Sequence, residues 1–172
     1  VQLVESAQPV GFVRSAQGAL AAIRVARTEG GKNVPGTEYE IPCDLAAVVG
    51  AIGQHARLTG ADHGAVLSRM SAVYRTRWMD PASGYLVQSV VPSTGAWASA
   101  PRGSGTALSA YFLSFADPSL SRELGAAVIR HGTHTLAGFG AVREYPPGAA
   151  GQGDIDSGPV VFGVSVSATG FA

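Results

Sequence analysis

Apolar residues recur at helical spacing through most of the chain. Phe12, Ala16, Ala19, Leu20, Ile23 and Ala26 mark a first helix that Gly30-Gly31 stops. Asp44 is placed to cap a second, running through Leu45, Val48, Val49 and Ile52 to Leu58-Thr59-Gly60. Asp62 is placed to cap a third, with Val66, Leu67, Met70, Val73 and Tyr74 on one face, ending about Met79. A fourth covers residues 106–115 and closes at Asp117-Pro118, where the proline suits the first turn of a fifth helix over 120–136. Pro159 then starts an apolar segment over 160–172.

Three stretches that mix Gly, Pro and charge, residues 38–44, 80–106 and 143–159, each run into one of these segments, and the returns between segments are short. In a chain of hairpins this alternation puts the long loops at one pole. The expected fold is therefore all-α, antiparallel helical hairpins, with residues 85–91 as the only β-prone element. The starts near Asp44, Thr106 and Pro159 are each separated by one hairpin plus one long loop, a structural repeat without a sequence repeat. Six segments so arranged make about half of a closed ring of six hairpins. The expectation is one partial domain over 1–172 that continues beyond Ala172 and before Val1.

Composition narrows the possible functions. With 172 residues, 46% of them hydrophobic, the chain can build one domain with a real core, and its formal net charge is zero. Eleven Arg and one Lys are dispersed without a run, which excludes an electrostatic nucleic-acid binder. The longest apolar stretch, 45–53, is too short to cross a bilayer, and no signal-peptide zones precede it. Cys43 is the only cysteine, so an intrachain disulfide and a thiolate metal cage are excluded and the compartment stays open.

Seven of the twelve acidic residues lie in or beside the long loops: Glu38, Glu40, Asp44, Asp80, Glu144, Asp154 and Asp156. So do Tyr39, Trp78, Tyr85, Trp97, Phe139 and Tyr145. Carboxylates for proton transfer, Arg102 and Arg143 for charge, and flat aromatics for sugar faces compose a carbohydrate site. Polar loops anchored by aromatics are the bland counterpart. Asp154 and Asp156, two apart in an extended segment, project to one side, where repulsion raises one pKa. Asp154 is expected to face solvent chemistry and Asp156 to satisfy free backbone amides. Cys43, before a helix start and beside Asp44, is a candidate for a lowered thiol pKa, against the ordinary role of a small buried residue. Arg102 is expected to pair with a loop carboxylate. The glycine-rich run 102–106 lacks the ending of a phosphate loop. His131 and His134 lie three apart with no third ligand near, so neither metal nor cofactor is expected.

The runs Tyr39-Glu40-Ile41-Pro42-Cys43-Asp44, Arg102-Gly103-Ser104-Gly105-Thr106-Ala107-Leu108, Arg143-Glu144-Tyr145-Pro146 and Gly153-Asp154-Ile155-Asp156-Ser157-Gly158-Pro159 resemble those of bacterial six-hairpin α/α toroid proteins. That class holds many glycoside hydrolases and polysaccharide lyases, and the linalool dehydratase/isomerase-like proteins are similar in architecture. The resemblance covers residues 37–172. It implies a carbohydrate-active enzyme of hydrolase or lyase type, with Asp154, Asp156, Asp44 and Glu144 as acid/base groups and Arg102, Arg143, Tyr85, Trp97, Tyr145 and Tyr39 binding a carbohydrate or other small-molecule substrate. The remaining hairpins of a full-length protein would be its partner. A shared fold hosts unrelated chemistries. A noncatalytic binding or structural toroid and a Cys-assisted dehydratase/isomerase therefore stand as alternatives.

Overall fold

The computed structural model describes residues 7–14, 20–29, 32–33, 39–154 and 156–172. It corrects the all-α expectation: helices and antiparallel sheets are mixed. The first segment is a pair of strands, β1 (Ala7–Arg14) and β2 (Leu20–Glu29), paired antiparallel, in place of a helix. β3 (Lys32–Asn33) and β4 (Tyr39–Glu40) both pair with β2. Pro9, Gly11 and the β-branched Val10, Val13, Ile23, Val25 and Thr28 disfavour a helix here, and long-range pairing overrides the helical spacing. Pairing shifts register at Pro9/Gly11 and at Val13/Arg14. The Gly30-Gly31 stop and Glu38 lie outside the described residues.

Helices follow where punctuation was strongest. α1 (Pro42–Thr59) ends at Gly60, whose φ of 73° is the left-handed cap. α2 (Gly64–Val73) continues into a π-helical turn, Tyr74–Trp78. Then come β5 (Leu86–Val87) and β6 (Pro101–Arg102), paired antiparallel. α3 (Gly103–Leu113) starts three residues earlier than expected and is the central helix, packed by α1, α4 and α5. α4 (Pro118–Ala127) has Pro118 in its first turn, and Asp117 accepts from the Ser119 and Leu120 amides.

The fifth helix does not run to Leu136. After a π turn, Val128–Gly132, the chain forms a hairpin of β7 (Thr133–Leu136) and β8 (Phe139–Arg143) about Ala137-Gly138, both at positive φ. The final segment is likewise not one helix. β9 (Val160–Val161) and β10 (Val164–Ser165) turn at Phe162-Gly163, φ 52° and 80°, before the short α5 (Val166–Phe171). The sheet order is β7-β8-β10-β9.

One core cluster joins Leu45, Ala46 and Val49 of α1 to Tyr74, Trp78, Leu86, Val87, Val90, Leu113, Leu120 and Leu124. A second joins Tyr85, Ala107, Ala127, Val128, Val142 and Ala168. Gly50 and Gly53 let α1 lie directly against the Phe112 and Phe115 backbone. Among the described residues no helix is long and apolar enough to cross a membrane.

Candidate functional site

The start of α3 gathers the charged loops. The β6 residue before it, Arg102, has only 11% of its side chain exposed and ion-pairs with Asp154. Its second guanidinium nitrogen donates to the Tyr145 hydroxyl (2.8 Å) and the Gln152 carbonyl (3.2 Å). Glu144, fully buried, lies 3.8 Å from the same guanidinium. It accepts from the Ser104 amide (3.2 Å) and hydroxyl (2.7 Å). Burial raises its pKa, while the Ser104 and Ser165 hydroxyls and Arg102 pull the other way. These bonds tie β8, the 151–158 loop and α3 into one polar joint.

The two loop aspartates exchange their expected parts. Asp154 is the structural one: its Oδ1 accepts from the amides of Asp156 (3.1 Å) and Ser157 (2.9 Å). Burial pushes its carboxyl up, but the Ser157 amide and Arg102 outweigh that and hold it below the usual range. Asp156 is exposed, and its carboxylate Oδ2 accepts from Gln88 Nε2 (3.2 Å). Burial and the charge of Asp154 raise its pKa, against the pull of Arg102.

Asp44 meets this loop from α1. It sits within the first turn, without capping it. Its carboxylate is exposed, and its pKa is raised by the surrounding protein and then by the charge of Asp156. Beside it, the Cys43 thiol donates to Asp44 Oδ1 at 3.8 Å. The thiol pKa is raised, not lowered: burial dominates, and Asp44 and Asp156 add to it. Burial, with the two neighbouring carboxylates adding to it, overcomes any help from the helix start and favours the neutral thiol. Gly105 faces Cys43 and Gln88, and a Cβ there would stand 3.1 Å from Gln88 Oε1. That oxygen is buried with no hydrogen-bond partner among the described residues. Gln88 was not among the residues singled out from sequence. Its signal was a lone amide in an otherwise apolar, β-prone run.

The expected binding residues divide. Arg143 lines a cleft of about 660 Å³ with Tyr145, the 146–151 loop, Val160, Phe162 and Gly163, and among the described residues it is the cleft's only charged one. One guanidinium nitrogen donates to His134 Nδ1 at 3.2 Å, so that imidazole nitrogen carries a lone pair. Among the described residues no carboxylate pairs with Arg143. Tyr145 is 7% exposed and pinned by Arg102, with the guanidinium 5.4 Å from its ring centre. Tyr85 is fully buried in the second core cluster, its hydroxyl without a hydrogen-bond partner among the described residues, and its pKa is pushed up to about 12 by burial and by Glu144. It presents no face to solvent. Trp97, 44% exposed, donates its indole N–H to the Arg77 carbonyl (2.8 Å). Tyr39 is half-buried on β4 opposite Val25. No protein-family model matches the chain, and no curated protein is significantly similar to it.

Proposed function

We propose that the chain carries the acid/base site of a carbohydrate-active enzyme of hydrolase or lyase type, with Asp44 and Asp156 as the proton-transferring pair. One observation carries this reading: two solvent-facing carboxylates from segments far apart in sequence meet at the start of α3, where Gln88 donates to Asp156 and Gly105 faces both Gln88 and the Cys43 that precedes Asp44; burial, and then the charge of Asp156, raise the pKa of Asp44. Their surroundings differ. Burial and the charge of Asp154 raise the Asp156 pKa against the pull of Arg102, while Asp44 is raised by burial and then by Asp156. In this reading Asp44, beside the Cys43 thiol, is the acid, and Asp156, on the Arg102 side, is the base or nucleophile. Glu144 and Asp154, both fully engaged, position this pair without transferring protons. The Arg143 cleft supplies an apolar wall with one cation for an acidic sugar.

The test is turnover on a panel of neutral and uronate-containing oligosaccharides, read by reducing-end release and by the ultraviolet absorbance of an unsaturated uronate. D44N and D156N should each lower kcat by about 10²–10⁴-fold with native circular dichroism. Turnover that persists in both variants would refute the assignment. Binding without turnover in the unaltered protein would favour the noncatalytic alternative. The Cys-assisted dehydratase reading keeps the Cys43–Asp44 contact, but the raised thiol pKa opposes it. It requires C43S to lose activity as fully as D44N.

A further inference from the structure

We infer that His55 and His63 form a chelating site for a divalent transition-metal ion of the copper–nickel type, away from the α3 start. His55 lies in the last turns of α1 and His63 immediately precedes α2. Their facing nitrogens, His55 Nδ1 and His63 Nε2, are 3.0 Å apart, with ring centres at 5.2 Å and planes tilted by 36°. With both metal–nitrogen bonds at about 2.0–2.1 Å, that 3.0 Å separation subtends about 91–97° at the ion. A tetrahedral zinc site needs about 3.3–3.4 Å between the same atoms. The 3.0 Å is the length of the hydrogen bond that now joins the rings, and it leaves the two nitrogens close enough to take adjacent positions of a square-planar or tetragonal ion.

The turn that presents the rings is already fixed. Gly60 closes α1 through the Ala56 carbonyl at 2.9 Å, Thr59 Oγ1 accepts from the Ala61 amide at 3.2 Å, and Asp62 Oδ1 accepts from the Gly64 amide at 2.9 Å. Binding thus orders little beyond the two imidazoles, which keeps its entropic cost small. The metal takes the place of the single proton now shared between the rings. Each neutral imidazole then carries its proton on the outer nitrogen, so no net deprotonation is required. Among the described residues no cluster of three or more ligating side chains occurs, so water completes the coordination and the ion is exchangeable.

Titration of the purified protein with Cu²⁺, Ni²⁺ and Zn²⁺, each alone, tests the site. The expected result is one saturable ion per chain with affinity in the order Cu²⁺, Ni²⁺, Zn²⁺. H55Q and H63Q should each weaken it by more than about tenfold, the lower end of what even an outer-shell loss costs a metal site. The Cu²⁺ electron-paramagnetic spectrum should show two imidazole nitrogens, reduced to one in either variant. In the unaltered protein, trace Ni²⁺ should broaden the His55 and His63 ring resonances before those of His131 and His134, a readout that needs no variant to fold. Affinity unchanged in H55Q and H63Q, loss in an H131Q/H134Q control instead, or simultaneous broadening of all four histidines would overturn the proposal.

Discussion

Asp154 shows at single-residue scale how this site is held. Its carboxylate joins the Arg102 guanidinium to the amides of Asp156 and Ser157, and so fixes where the Asp156 side chain starts. D154N keeps the amide-accepting oxygen and loses the charge, so at neutral pH the variant should be less stable by about 1–3 kcal/mol. The sign of its pH dependence follows from the depressed folded-state pKa. The carboxylate contributes stability above its unfolded value of about 3.9 and loses it as pH falls through the folded value. Urea unfolding at pH 7 and at pH 2.5 should therefore show a gap between the two proteins that closes in acid. A gap independent of pH would mean that the ion pair is not its source. From sequence Asp154 and Asp156 are interchangeable. Which one turns inward depends on Arg102, more than fifty residues upstream, and no local pattern contains that.

Element packing turns on a few glycines. At Gly53 an added Cβ would run into the Phe115 carbonyl and the Ala116 backbone, whereas at Gly125 in α4 nothing lies within 4 Å. G53A should destabilise by about 1–3 kcal/mol through overpacking. G125A should be neutral or stabilising by up to about 1 kcal/mol, because it only restricts the unfolded chain. Thermal unfolding of both distinguishes a true helix contact from a general glycine effect, and equal shifts would contradict the α1–α3 packing. Elements marked by their own punctuation were legible: Gly60 closing α1, and Asp117-Pro118 opening α4. The strands were not. Phe12 to Ala26 satisfies a helical period, yet its partners are other strands, and pairing is a non-local property. Residues 160–165 form a short apolar run that period alone cannot assign, and the Phe162-Gly163 turn at positive φ decides it. The alternation of Thr133, His134, Thr135 and Leu136 before Ala137-Gly138 was a readable hairpin signal, overridden by the apolar helix pattern ahead of it.

For the molecule as a whole, the loops at 39–44, 85–102 and 143–158 meet around the start of α3, although the sheets between them rule out an all-helical ring. What the sequence could indicate was that charge and glycine concentrate in those loops. It could not indicate which carboxylates stay accessible, because that depends on Arg102 and Ser104 engaging Asp154 and Glu144 first. The central claim is that Asp44 and Asp156, on α1 and on the loop before β9, act as one electrostatic unit. Carboxyl carbon-13 titration of Asp44 in the unaltered protein and in D156N tests it most directly. The account predicts that Asp44 titrates above the ordinary aspartate value of about 3.9 and that its midpoint falls when Asp156 becomes neutral. An Asp44 midpoint at the ordinary value, or one that D156N leaves unmoved, would contradict it.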